Sequence, residues 1–301
     1  MIALLLALLT GSGAVASNAG TIPRVDAVVI VVRNLDAERR FYTSALDFKD
    51  LGERAADGKR TDRLALGDQR VELVSYEAGP GAAIASTARS NDRDFQHIAI
   101  VVSDMNRAWS HVTRYGVRKV SVAPQVLPAW NPAAGGIAAA YFRDPENHPL
   151  ELIHYPPGKG ASAWHASSPL FLGIDHTAIA VTNTTASTRF YESLGLTVKG
   201  HSYNYGIEQE RLSGVAGARV QITAVRFADA PGVEFLQYVA PLRPQPRESA
   251  AIDDLAATRT RIVEPGAKAL CNSLTPVVTS NDGCIARDPD GHLVEIVAPL
   301  P

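Results

Sequence analysis

The sequence predicts an α+β protein made of four related modules, each a few strands around one helix, and three internal repetitions predict it. The segment RDPENHPLELI at 143–153 returns as RDPDGHLVEIV at 287–297. RFYTS at 40–44 returns as RFYES at 189–193, and the same offset of 149 carries Val32 onto Val181 and Asn34 onto Asn183. A third, shorter repeat sets His97-Ile-Ala-Ile-Val-Val-Ser-Asp beside His176-Thr-Ala-Ile-Ala-Val-Thr-Asn. Self-similarity on this scale marks a duplicated structural unit.

The elements follow in chain order. Ile2 to Leu9 is an apolar run too short to cross a bilayer, and the small residues around Ala14-Val15-Ala16 and Ser17-Asn18-Ala19 suit signal-peptidase cleavage. Residues 1–19 are therefore expected to be a signal peptide and the protein periplasmic or secreted; without a signal it would be cytoplasmic, and the run carries no Lys or Arg ahead of it. The first module opens with a strand over Ala27 to Val32, continues in a helix over Leu35 to Leu46 and ends in a strand over Arg70 to Tyr76. A polar, small-residue stretch from Ala78 to Asp94 leads to the second, which runs from Gln96 through a helix over Met105 to Tyr115 to a strand ending at Tyr155. Asp-Pro-Glu-Asn and Asp-Pro-Asp-Gly are turn sequences, because Asp bonds its own backbone, Pro presets φ, and Asn or Gly tolerates positive φ. Each such turn should feed a closing strand.

Pro156, Pro157, Gly158 and Gly160 separate two halves, 24–158 and 170–301. The third module spans Ile174 to Val239. The fourth is reduced: only Arg247 to Ala251 offers an opening strand, and its helix is expected near Ile252 to Val263.

Composition narrows the function. A chain of 301 residues with 46% hydrophobic content can bury two cores, and a net charge of −2 without a basic run gives no footprint for nucleic acid. There is no Gly-x-Gly-x-x-Gly fingerprint, no phosphate-binding loop and no Cys-x-x-Cys pair. No membrane span is expected in the mature protein. The expected partner is a small molecule, with a homodimer possible.

Glutamates carry the strongest functional signal. Glu151 and Glu295 alternate with apolar neighbours at the same point of a repeated strand, where a carboxylate needs a partner. Glu72 in VELV and Glu234 in VEFLQ fit the same pattern, and His97 and His176 open strands in register. A βαβββ unit repeated in pairs, with His in the opening strand and Glu in the closing strand, resembles the vicinal oxygen chelate superfamily. Its members include glyoxalase I, methylmalonyl-CoA epimerase, extradiol dioxygenases and the fosfomycin- and bleomycin-resistance proteins. The resemblance spans 24–299 and rests on the Asp-Pro-x-x-His-x-x-Glu turns, the Phe-Tyr helices and the repeat.

That resemblance implies two tandem domains, each a cup-shaped sheet of two modules, and a divalent ion such as Fe, Mn, Zn, Ni or Mg held by imidazole and carboxylate. With each half as one cup, the first would offer Ala27, Glu72, His97 and Glu151 and the second His176, Glu234, Arg247 and Glu295. Each would lack one ligand, neither would hold the two histidines and one glutamate of a ring-cleaving dioxygenase, and the first would be the better metal site. Glu151 and Glu295 would then be the catalytic carboxylates.

His201, Tyr203, Tyr205 and Arg211 cluster in the third module as candidate pocket residues, and Trp130 sits in a Pro- and Gly-rich loop that could close over a ligand. Arg247 is a candidate carboxylate binder. His148 and His292, in the repeated turns, are expected to pack locally. Three functions remain: a metal-dependent lyase, isomerase or group-transfer enzyme, a ring-cleaving dioxygenase drawing a second histidine such as His201, or a sequestering protein that needs no metal. In an exported protein, Cys271 and Cys284 are expected to form a disulfide.

Overall fold

The computed structural model describes residues 22–228, 231–242 and 250–299; the expected signal peptide and Arg247 lie outside them. The first module comprises β1 (Arg24–Val31), α1 (Leu35–Ala45), β2 (Lys49–Ala56), β3 (Lys59–Leu66) and β4 (Gln69–Tyr76). The second has β5 (Gln96–Val102), α2 (Met105–Thr113), the short β6 (Arg118–Lys119) and β7 (Gln125–Val126), then β8 (Ala138–Arg143) and β9 (Pro149–His154). In the third, β10 (Phe171–Ala180) and α3 (Thr184–Ser193) precede β11 (Thr197–Tyr205), α4 (Ile207–Ser213), β12 (Arg219–Arg226) and β13 (Gly232–Ala240). The fourth is β14 (Arg259–Val263), α5 (Ala267–Ser273), β15 (Pro276–Thr279), β16 (Gly283–Arg287) and β17 (Leu293–Val297).

The repeat is visible in local chemistry. Asn34 and Asn183 cap α1 and α3, each side chain accepting from a backbone N–H three residues on at 3.1 Å. Such a cap stabilises a helix by about 1 kcal/mol. Tyr42 and Tyr191, one from each Phe-Tyr pair, are wholly buried and donate toward Asp144 and Asp288 of the repeated turns. His148 joins Asp144 at 2.8 Å and the Val31 carbonyl at 2.9 Å, and His292 meets the Ala180 carbonyl at 2.8 Å. These turn histidines thus pack as expected, and they also tie one sheet to the other.

The fourth module departs from expectation. Its helix is α5, not 252–263, and it opens with β14; of the expected strand 247–251 only 250 and 251 are described, and they are not in a strand. Ile252 and Leu255 mimic helical spacing, but 252–256 form turns, and the alternation Arg-Thr-Arg-Ile-Val pairs with β1 as an extended strand. Cys271 of α5 and Cys284 of β16 form the disulfide expected between them.

The largest correction concerns how modules pair. Both sheets cross the halves: one runs β15-β16-β17-β14-β1-β4-β3-β2 and the other β11-β12-β13-β10-β5-β9-β8-β6. Module 1 therefore shares a sheet with module 4, and module 2 with module 3, each through an antiparallel pair of opening strands. What each half shares is a hydrophobic core. Phe41, Tyr42 and Leu46 pack with Met105, Val112 and Ile98 between the two sheets, and Tyr191, Leu196 and Phe235 pack with Ile262, Cys271 and Ile296. Helices of one half face each other while their sheets belong to different cups.

Candidate metal site

Pairing modules 2 and 3 brings four sequence-predicted residues into one cup. His97 on β5 and His176 on β10 enter from the two central strands, Glu151 comes from β9 beside β5, and Glu234 from β13 beside β10. The parallel pairs set Ala99 against Glu151 and Ala178 against Glu234, so each small alanine leaves its neighbouring carboxylate room in the cup. His97 Nε2 lies 2.9 Å from Glu151 Oε2, and His176 Nε2 lies 3.6 Å from the same oxygen and 3.5 Å from Glu234 Oε2.

Those separations suit an ion. Bonds of about 2.1 Å to imidazole nitrogen or carboxylate oxygen put adjacent ligand atoms about 3.0–3.5 Å apart. His97, Glu151 and His176 form one group able to hold a metal, and Asp175, His176 and Glu234 form an overlapping one. The two groups share His176, and their imidazole nitrogens and carboxylate oxygens are the donor types that borderline and hard divalent ions take.

The electrostatics show how strongly the site seeks positive charge. Burial opposes ionisation of Glu151, yet hydrogen bonds from His176 and His97 outweigh it and hold the carboxyl below its ordinary value. For His176 burial disfavours the imidazolium, but Glu234, Asp175 and Glu151 together push it up to about 10. Arg226 already pairs with Asp175, so without a metal the proton on His176 is the cation facing Glu151 and Glu234.

A cavity of about 640 Å³ opens above these groups. Leu127, Ile137, Ile153, Ile222 and Leu236 give it apolar walls, and Lys199, His201, Asn204 and Gln209 add polar groups to the lining. His201 is thus a pocket residue, its Nδ1 3.0 Å from Thr223 Oγ1. Tyr203, Tyr205, Trp130 and Arg211 are not among the lining residues. Tyr205 packs against Trp130 with centroids 4.3 Å apart and the ring planes tilted by 35°, and Trp130 is 51% exposed. The Trp130 loop does border the cavity, but through Leu127, Ala133 and Ala134, and Asn131 fastens it to Asn204 at 2.7 Å.

Glu72 and Glu295 lie in the other cup, so the expected first-half set of Glu72, His97 and Glu151 does not assemble, and Glu295 is not near this site. By register, Val29 faces Arg259 where Ala178 faces His97, so Arg259 stands at the place of His97 and Ala27 at that of His176. Arg259 Nε approaches Glu295 at 3.2 Å, while Arg261 reaches Glu72 at 2.7 Å and Glu295 at 3.3 Å. Two guanidiniums neutralise the two glutamates there. Position 247 was expected to supply the cation; β14 supplies two.

The sequence also left Asp175, Arg226 and Trp164 unassigned. The signal available was Asp26-Ala27 repeating as Asp175-His176 at the same offset of 149.

The model of the Glyoxalase/Bleomycin resistance protein/Dioxygenase superfamily matches residues 24–152 and 173–296. No curated protein sequence matches. Among solved structures, glyoxalase I from Zea mays superposes with a TM-score of 0.61 at 18% identity, covering 92% of this chain and 93% of that one. Its V278E mutant gives 0.63 at 17% identity, with the same coverage. A candidate dioxygenase from Bacillus subtilis gives 0.59 at 13% identity, covering 92% of this chain and 86% of that one. At these identities the likeness speaks for the fold, whereas the family match spans both halves: the chain belongs to the Glyoxalase/Bleomycin resistance protein/Dioxygenase superfamily.

Proposed function

We propose that this protein is a divalent-metal-dependent enzyme of the glyoxalase type, a lyase, isomerase or group-transfer catalyst, acting on a small molecule with two adjacent oxygens. The observation that carries the proposal is the convergence of His97, Glu151, His176 and Glu234 at the floor of a cavity of about 640 Å³. A bound ion would supply Lewis-acid polarisation of a substrate oxygen. The chain's own residues supply the rest. Apolar walls exclude water from the floor, and His201 and Asn204 orient the substrate's polar end. Glu234, its side chain 20% exposed toward the cavity, is the carboxylate best placed to move a proton, because Glu151 is committed to both histidines.

One observation favours a second function. His97, Glu151 and His176 form the two-histidine, one-glutamate set expected of a ring-cleaving dioxygenase, with His176 rather than His201 as the second histidine. Glu234 as a further ligand favours the glyoxalase type, since it occupies a position that such a dioxygenase keeps for oxygen or substrate.

The test is metal analysis of protein purified without a chelating tag, followed by turnover of a thiol–ketoaldehyde adduct and of a catechol with and without chelator. Chelator-sensitive isomerisation of the adduct is expected. Oxygen uptake with a catechol would support the dioxygenase. Ligand binding that survives chelation, with no turnover, would replace both with a sequestering protein. The Cys271–Cys284 disulfide supports export to an oxidising compartment, so periplasmic or secreted protein is the form to assay.

A further inference from the structure

Strand β10 is irregular where it meets the cup. Its pairing with β5 shifts between Ile174 and His176, leaving Asp175 as the extra residue of a β-bulge. In a regular strand residues two apart share a face. Here Ile174 packs into the core behind the sheet, while Asp175 and His176 both line the cavity.

The turned Asp175 is 2% exposed and is engaged at both oxygens. Oδ1 accepts from Trp164 Nε1 at 2.8 Å and Arg226 Nη1 at 3.2 Å; Oδ2 meets His176 Nδ1 at 2.9 Å and Arg226 Nη2. Two glycines make room for these supports. A Cβ on Gly173 would come within 2.9 Å of the Trp164 ring, and one on Gly232 within 2.5 Å of Arg226 Cγ. Trp164 comes from the 3-10 turn Ser162–His165 between the halves, so the connecting segment itself reaches the site. His97 has no such arrangement: its Nδ1 is buried without a hydrogen-bond partner among the described residues.

We infer that Asp175, clamped by Trp164 and Arg226, is a positioning residue that fixes the proton of His176 on Nδ1 and aims the Nε2 lone pair at the metal position. An ionised carboxylate only accepts hydrogen bonds, so the imidazole nitrogen facing it must donate. A metal-binding histidine held in this way is oriented before the ion arrives and is a stronger donor to it. His176 is therefore the fixed ligand, and His97, held through Glu151 alone, is the adjustable one. This inference rests on the metal-dependent function proposed above.

The test is Asp175→Asn, which keeps the shape. One amide oxygen can serve Trp164, but the amide N–H₂ then faces His176 Nδ1 and favours the tautomer whose Nε2 proton points into the cup. Zn2+ affinity, read by competition with a chromophoric chelator, should fall about 10- to 100-fold. Trp164→Phe, which removes the N–H and leaves a smaller aromatic ring in its place, should lower it less. The reading that a merely structural role would not move is the His176 Nδ1–H resonance in 15N-labelled protein, protected from exchange in metal-free and Zn2+-loaded wild type and lost in Asp175→Asn. Retention of that proton together with wild-type Zn2+ affinity in the variant overturns the inference. If wild type takes up no Zn2+ the functional proposal is what fails, while loss of the protected proton still assigns Asp175 as the residue that orients His176.

Discussion

The two cups share topology, repeat register and a pair of glutamates, and they differ in what neutralises those glutamates. In the cup of modules 2 and 3, Glu151 and Glu234 face two histidines, which carry no permanent charge. In the cup of modules 1 and 4, Glu72 and Glu295 face Arg259 and Arg261, whose charges are permanent. Two guanidiniums carry the same total charge as one divalent ion. One cup is thus open to an exchangeable cation and the other is closed by covalently tethered ones. The comparison teaches that duplicated ligand positions can be turned from binding to structure by substitutions on the two central strands, provided the carboxylates left behind keep a partner.

The sharpest way to break this contrast is to neutralise one glutamate in each cup. Glu151→Gln should lose metal by more than the roughly 10- to 100-fold expected for a supporting residue, read as metal content after dialysis. Glu295→Gln should leave metal content unchanged and instead cost about 3–5 kcal/mol in urea unfolding, because it strands the buried Arg259 guanidinium and leaves Arg261 with Glu72 alone. Metal lost in Glu295→Gln but kept in Glu151→Gln would reverse the assignment of the cups.

The closed cup can also be reopened. The variant combining Ala27→His, Arg259→His and Arg261→Ala should take up a second Zn2+ per chain, counted by elemental analysis. No second ion would mean that the closed cup differs in backbone and not only in side chains.

Removing the Cys271–Cys284 bond with Cys271→Ser and Cys284→Ser should cost about 3 kcal/mol, given a closed loop near 15 residues. It should leave metal affinity unchanged, because both cysteines lie in module 4.

Proton linkage separates the cups more finely. Glu295 is buried, which opposes its charge, but Arg261 and Arg259 outweigh this and hold its carboxyl below the ordinary 4.5. A depressed carboxyl adds stability above its unfolded value and loses it as pH falls through the folded value, so unfolding free energy should drop below about pH 4. Glu295→Gln should flatten that part of the profile. His176 has the opposite sign: raised from 6.5 to about 10 in the metal-free protein, it adds stability below 6.5 that is lost as pH rises through about 10. Metal must displace this proton, so Zn2+ affinity should rise with pH between those values, with release of about one proton per ion, measured by calorimetry in two buffers. The smallest effect expected is that of Trp130→Ala: with its ring turned away from the cavity, KM should hardly change.

Much was legible in the sequence because it is local or repeated. Alternation gave the strands, the Asp-Pro turns placed the closing glutamates, and the offset of 149 aligned Asn34 with Asn183 as helix caps. The ligand types His97, Glu151, His176 and Glu234 followed from the same register. Which of them meet was decided only by tertiary structure. The opening strands of all four modules are related, so pairing 1 with 2 or 1 with 4 satisfies the same backbone edges and the same apolar pattern. The choice lies in cores spanning modules, where α1 packs with module 2 behind its sheet, and in connections outside the repeat. Arg259 and Arg261 were invisible as a counterion pair because Ile252 and Leu255, just ahead of their strand, have helical spacing and drew the expected helix on through 263. Asp175 was hidden for a related reason: a bulge turns its side chain toward the site, and a bulge is set by the strands on either side, not by the residue that occupies it.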